Sequence, residues 1–198
     1  MTEQKAADVV DEIFSLYEKY GSADYIGEPV SQVEHMYQAA ELAEKEGYLD
    51  DVVLAAFFHD IGHLVEHLMP VKKMADVGVA DHEKLGADFL RERGFGENIC
   101  SLVQSHVQAK RYLTFKYPDY CAKLSPASKI TLAHQGGIMD EEEAAQFEQD
   151  PLHPLYIKMR EWDDKAKDPA LPLSAISKYK EMALRYLKNQ PVNYAQTV

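Results

Sequence analysis

Hydrophobic residues recur along this chain at helical spacing, and glycine and proline interrupt the pattern. Over 4–20, Val9, Ile13, Phe14 and Tyr17 share one face, and Gly21 ends the run. The stretch SADYIGEPV at 22–30 carries Gly27 and Pro29 and has no helical period, so it is expected as a loop. A second helix is expected over 31–46, with Val33, Met36, Ala39, Ala40 and Ala43 apolar, closed by Gly47. The segment DVVLAAFFHDIGHL at 51–64 is apolar almost all round. That predicts one continuous, central and deeply buried helix, which Asp50 and Asp51 can cap.

Residues 66–80, with Pro70 and Gly78, predict a long loop. Helices are expected at 81–92 and from about 97 to 112, then as shorter pieces at 119–124, 126–135, 140–148 and 152–166. A last amphipathic helix at 174–188 carries Ile176, Tyr179, Met182, Ala183 and Leu187, and the tail QPVNYAQTV is expected to fray. Neither an internal repeat nor a strand pattern is visible. The expected class is all-α, a single helical bundle, and 198 residues suit one domain.

Composition narrows the function. With 46% hydrophobic and 27% charged residues the chain is globular in type. The net charge of −12 with no basic stripe argues against a reader of nucleic-acid backbone. It does not argue against a small anionic substrate, because a few local cations or a bound metal can dominate a pocket. Cys100 and Cys121 form no CxxC pattern, so a thiolate zinc site or a disulfide framework is not expected, and a reducing compartment fits. The N-terminus lacks the basic start and apolar core of a signal peptide, and the longest apolar run, VVLAAFF at 52–58, is far below the ~20 residues that cross a bilayer. The expectation is a cytoplasmic protein with no membrane or nucleic-acid partner; oligomeric state is left open.

The chemistry-bearing feature is His59–Asp60 within an apolar segment. A buried carboxylate is costly unless it has a partner, and a metal ion supplies one. On a helix the two side chains diverge by about 100°, and both can still reach an ion off the flank. His35, His82, His106 and Asp163 stand at further suitable places. A lone histidine on an apolar helix is usually a satisfied core residue; here the joint order H…HD…H…H…D, with HDIGH intact, points to metal. Imidazole with carboxylate suits iron, zinc, manganese or nickel.

This pattern resembles the HD-domain superfamily over roughly 30–165, which implies a single HD domain across 1–198. Such domains are metal-dependent phosphohydrolases or, in a minority, oxygenases with two irons, and the ligand set alone does not decide between them. The flanking motifs are more telling: YIGE at 25–28, EH at 34–35, FFHDIGH at 57–63, DHEKLGADFL at 81–90, HVQAKRYL at 106–113, HQGG at 134–137 and RxWD at 160–163. Together they resemble the mixed-valent diiron oxygenases acting on 1-hydroxy-2-aminoethylphosphonate and its trimethylamino variant. The resemblance implies that His35, His59, Asp60 and Asp163 hold one iron, that His82 and His106 hold the other, and that Asp60 bridges them. It implies an Fe(II)/Fe(III) pair, O2 as co-substrate, and carbon–phosphorus cleavage to phosphate and an amino acid.

A phosphonate dianion needs several fixed donors. His63 and Lys110 each lie one turn after a candidate ligand, His59 and His106, and Arg160 lies three residues before Asp163. Ser128 and Gln135 match phosphonate contacts that the resemblance implies. For Lys110 and Arg160 the bland alternative is a solvated helix face. Tyr25 and Glu28 correspond to a lid whose tyrosine fills a vacant iron position until substrate displaces it; the bland alternative is a loop anchor. At the nitrogen end of such a substrate, Glu66 either faces an ammonium or is exposed, and both the primary amine and the trimethylammonium remain open.

Overall fold

The computed structural model describes residues 1–25, 27–74 and 78–189. Ile26 of the YIGE motif, part of the 66–80 loop and the 190–198 tail expected to fray lie outside the described residues. Among those described, every regular element is a helix, and two isolated bridges, Asp24–Ser31 and Lys73–Val79, are the only extended pairings. The all-α expectation holds. The helices are α1 (Glu3–Tyr20), α2 (Gln32–Lys45), α3 (Asp50–Phe58), α4 (Gly62–Val65), α5 (His82–Glu92), α6 (Glu97–Lys116), α7 (Pro118–Lys123), α8 (Pro126–His134), α9 (Glu141–Gln149), α10 (His153–Lys165) and α11 (Ser177–Asn189).

The helix starts follow side-chain chemistry where the residues allow it. Ser31 closes a capping box with Glu34 ahead of α2, and Asp140 does so with Glu143 ahead of α9. Asp50 and Asp51 do not cap α3 as expected. Leu49 holds the N-cap position without a side-chain bond, and both acids fall inside the first turn, where they complement the helix dipole.

The larger correction concerns 51–64. It is not one helix: α3 stops at Phe58, His59–Ile61 form a turn, and α4 restarts at Gly62. Apolar composition predicts burial of the whole segment, and Val52–Val65 are buried apart from the partly exposed His63. It does not predict where the backbone turns. A long-range contact lies at the restart. A Cβ on Gly62 would overlap the carbonyl oxygen of His82, and a Cβ on Gly86 would touch Gly62 N at 3.1 Å. Two facing glycines thus let α4 and α5 cross at backbone contact.

Around this crossing, α6 packs against α3, α5 and α10, α2 packs against α3 and α10, and α11 rests on α1 and α3. The core beneath is aromatic: Phe57 stacks on Phe14, Tyr17 and Tyr179, with ring centroids 5.6, 4.7 and 4.6 Å away. Phe57 is fully buried. Phe57→Ala should therefore destabilise the fold by about 3–5 kcal/mol, the range for deleting a buried aromatic ring, read as a lowered midpoint in chemical denaturation.

Candidate metal centre

Five segments deliver the six expected ligands to one point. His35 comes from α2, His59 and Asp60 from the turn after α3, His82 from the first residue of α5, His106 from the middle of α6 and Asp163 from the last turns of α10. All six are buried. His59 and Asp60 do not sit mid-helix, and it is the turn, rather than helical divergence, that aims them together.

The geometry divides into two halves about Asp60. Its Oδ2 lies 3.5 Å from Nε2 of both His35 and His59, and Asp163 Oδ1 lies 3.4 Å from His35 Nε2. Its Oδ1 lies 3.3 Å from His82 Nε2 and 3.4 Å from His106 Nε2. One carboxylate therefore turns one oxygen to each pair of histidines.

Each of the four rings is held through its other nitrogen. Nδ1 of His35 reaches Ala166 O at 2.8 Å, that of His59 reaches Ala56 O at 2.8 Å, that of His82 reaches Val79 O at 3.3 Å and that of His106 reaches Val103 O at 2.9 Å. A carbonyl only accepts, so each Nδ1 carries a proton, and Nε2 presents a lone pair to the centre whenever the ring is neutral. Yet His35 Nε2 stands 3.0 Å from His59 Nε2, and His82 Nε2 stands 2.9 Å from His106 Nε2. Two lone pairs at that distance repel unless a metal ion or a proton lies between them. Nitrogens each about 2.1 Å from one ion, at roughly a right angle, stand about 3 Å apart. The residues fit a metal ion in each half, with Asp60 shared.

The electrostatics record the same demand. Burial alone would push the His35 imidazolium down, but hydrogen bonds with the Asp163 and Asp60 carboxylates outweigh it and raise its pKa to about 9. Burial opposes ionisation of Asp60 as well, yet His59, His106 and His35 hold it well below the usual carboxylate range. Asp163 is likewise held down against burial, chiefly by Arg160, whose Nη1 donates to it at 2.6 Å. The guanidinium also bonds Asp164 and donates from Nε to Tyr120 at 2.9 Å.

His63 also comes within reach of Asp60 and His82, but its ring is differently committed. It stacks on His82 at 4.2 Å, and its Nδ1 accepts from Val79 N at 3.4 Å. Burial, reinforced by His82, pushes its pKa down to about 3. The ring is neutral, the proton sits on Nε2, and the residue is a donor on the cavity wall. His106, 2.9 Å from His82, is the better partner for that half.

A cavity of about 270 Å³ opens onto the centre, and Tyr25, Glu28, His63, Glu66, Lys110, Ser128, Gln135 and Arg160 all line it. Every expected substrate and lid residue is thus brought to one space. Lys110 and Arg160 are buried rather than on a solvated face. Lys110 Nζ donates to Thr131 Oγ1 at 2.9 Å, and burial, helped by Arg160, lowers its pKa to about 7. The Tyr25 ring lies flat against His35, with centroids 4.0 Å apart, and burial, reinforced by the charges of Asp60 and Asp163, raises its pKa. Glu28 is held by Lys167 Nζ at 2.8 Å, and Glu66 by Lys73 Nζ at 2.6 Å. Sequence reasoning missed Lys73, Lys167 and Gln32, which also line the cavity. They belong to no motif and reach it only through the fold.

This helical bundle with its paired histidines about one aspartate is matched by the HD domain model over residues 32–164, and the chain belongs to that family. Among its relatives, the [1-hydroxy-2-(trimethylamino)ethyl]phosphonate dioxygenase (glycine-betaine-forming) of Leisingera caerulea is 39% identical over 81% of each chain. The hydroxymethylphosphonate dioxygenase of Gimesia maris is 37% identical over 86% of this chain and 84% of its own. An uncharacterized protein of Acanthamoeba polyphaga mimivirus, L432, is 43% identical over 93% and 84% respectively.

Two substitutions test the geometry. Asp60→Ala takes the shared oxygen from both halves and should abolish metal retention in both, read as metal per chain after dialysis. Gly62→Ala drives a Cβ into the His82 carbonyl and should force α5 away from α4, lowering both metal retention and the midpoint of chemical denaturation.

Proposed function

We propose that this chain is a diiron oxygenase that uses O2 to cleave the carbon–phosphorus bond of a 1-hydroxyphosphonate. The observation that carries the reading is the shared cavity: a centre suited to two ions faces a wall on which Lys110, Arg160, His63, Ser128 and Gln135 stand together. The relatives named as phosphonate dioxygenases support it. The substrate class includes 1-hydroxy-2-aminoethylphosphonate and its trimethylamino analogue, giving phosphate with glycine or glycine betaine, and hydroxymethylphosphonate. The reaction balances without an external reductant: carbon loses its hydrogen and its phosphorus, one oxygen atom ends on the new carboxylate and one on phosphate, and O2 takes up four electrons.

In this reading His35, His59 and Asp163 would hold one iron and His82 and His106 the other, with Asp60 shared between the two halves. The Fe(II)/Fe(III) pair, when bound, supplies the redox chemistry with O2. The chain's own residues do the rest. Lys110 and Arg160 hold the phosphonate dianion, and the His63 Nε2–H and the Ser128 hydroxyl donate to it. Gln135 Oε1 is buried without a partner, and turning the amide presents its NH2 to the same oxygens. Arg160 also fixes Asp163. Tyr25 covers the centre from the His35 side, and the Glu28–Lys167 pair anchors its loop; together they form a lid that yields to substrate.

The competing reading is a metal-dependent HD phosphohydrolase acting on a nucleotide or small phosphate ester, with metal-bound water as nucleophile. Oxygen separates the two. Iron-loaded protein should release phosphate from a hydroxyphosphonate only when oxygen is admitted; equal anaerobic and aerobic rates would sink the oxygenase. Lys110→Ala should weaken substrate binding by about 1.5–3 kcal/mol and leave iron content intact, whereas Arg160→Ala should lower both, since it also releases Asp163. The Lys110 ammonium binds a dianion only while protonated. Because its pKa is lowered to about 7, the KM for phosphonate should rise as pH climbs through that value, and Lys110→Arg should flatten the rise. Tyr25→Phe should keep its iron but lose the mixed-valent signal faster in air without substrate. Equal air stability would make Tyr25 a packing residue.

A further inference from the structure

Arg160 is a buried cation that bonds Asp163 and also lines the cavity. Its remaining bonds close a ring. Nε donates to the Tyr120 hydroxyl oxygen at 2.9 Å, that hydroxyl donates to Asp164 Oδ2 at 2.6 Å, and Asp164 Oδ1 accepts from Arg160 Nη2. Nε and Nη2 lie along one edge of the guanidinium, so the ring fixes the plane of the group. A guanidinium has five N–H donors. These bonds, with Nη1 to Asp163 at 2.6 Å, use one N–H on each nitrogen, and each terminal nitrogen carries one more.

The two roles of this side chain compete. A dianion entering the cavity attracts the guanidinium, and a guanidinium that swings towards it lets go of Asp163. An arginine held only by Asp163 would also lose rotamer freedom each time a dianion bound. Fixing the Nε–Nη2 edge beforehand removes both difficulties. The plane is set before the dianion arrives, and the group can offer its further N–H donors without turning.

Tyr120 reaches this place from α7, a short helix with no buried residue of its own. The half-buried ring packs on the small cluster of Tyr112, Leu113, Met139 and Ala144. Packing accounts for the ring, and a phenylalanine would serve it equally. It does not account for the hydroxyl, which accepts from Arg160 and donates to Asp164 within one closed ring.

We infer that Tyr120 is a positioning residue that acts through Arg160: its hydroxyl, with Asp164 as the third corner, holds the guanidinium so that one arginine serves a metal ligand and a substrate dianion together. The inference rests on the reading of Arg160 as a holder of the phosphonate and extends it to two residues outside the motifs that pointed to the site.

Methylphosphonate, which has no hydroxyl to oxidise, is the probe. It is titrated into iron-loaded protein under nitrogen, with metal per chain measured alongside. Tyr120→Phe should bind it about tenfold more weakly than the parent at unchanged metal content. In an Arg160→Lys background, whose ammonium lacks the planar fork, the same change should cost less than about twofold, because the hydroxyl then has nothing to orient. Asp164→Ala should weaken binding like Tyr120→Phe, and Asp164→Asn, which keeps an oxygen for Nη2, should recover most of that loss. Undiminished binding by Tyr120→Phe, or an equal loss with and without Arg160, makes Tyr120 a packing residue and overturns the inference while Arg160 keeps its role. Loss of metal in Tyr120→Phe overturns it too, since the hydroxyl would then serve Asp163 rather than the substrate. A parent that binds no methylphosphonate removes Arg160 from phosphonate binding and this inference with it; oxygen-dependent phosphate release then decides separately whether the oxygenase reading survives.

Discussion

Everything at the centre of this molecule depends on Asp60, a buried carboxylate with one oxygen turned to each of two histidine pairs. Alone it would be an expensive charge to enclose. Its surroundings make it a bridge. Four imidazoles donate hydrogen bonds from Nδ1 to backbone carbonyls, and their Nε2 atoms converge in two close couples. Such couples are stable only around positive charge, and the buried aspartates count towards the same balance. The site is an arrangement of acceptors that fits bound metal.

The fold exists around that demand. Ligands from α2, α5, α6 and α10 meet those of the turn after α3 because α4 and α5 cross at backbone contact, which Gly62 and Gly86 permit. This gives the glycine of HDIGH a physical reason: it makes room for the residue that carries His82. Arg160 serves both the centre, through Asp163, and the cavity that opens from it. Binding wall and candidate metal half are thus mechanically joined.

The cavity extends the same electrostatic logic outward. Near the centre, cations that an anion can use are left partly free: Lys110 is bonded only to a hydroxyl, and burial holds its pKa close to neutrality, so an arriving dianion can recharge it. Farther out, the carboxylates are matched one to one by lysines. An acidic protein, with a net charge of −12, so encloses a cavity whose described lining sets Lys73, Lys110, Arg160 and Lys167 against Glu28, Asp60, Glu66 and Asp163. The sign of the whole chain does not set the sign of a site.

The sequence by itself determined the class of fold, the helices to within a turn at most ends, and the kinds of ligand available. Those properties are local: a 3.6-residue period needs only neighbours in the chain, and an imidazole is a ligand wherever it lies. The motif residues from Tyr25 to Asp163 could also be named, because their order and flanking motifs resemble a known family. What the tertiary structure decided is everything that turns on two distant segments meeting. It broke the 51–64 helix at His59–Ile61, because uniform apolarity carries no mark of where a backbone must turn, and the turn follows the crossing of Gly62 with His82. It assigned each oxygen of Asp60 to its histidines, and made His63 a donor rather than a ligand by spending its Nδ1 on Val79. It brought Lys73, Lys167 and Gln32 to the cavity, residues whose isolated positions read as ordinary polar surface. Ion-pair partners lie as far apart in the chain as Glu3 and Lys188, and only packing chooses among the many pairings that composition allows.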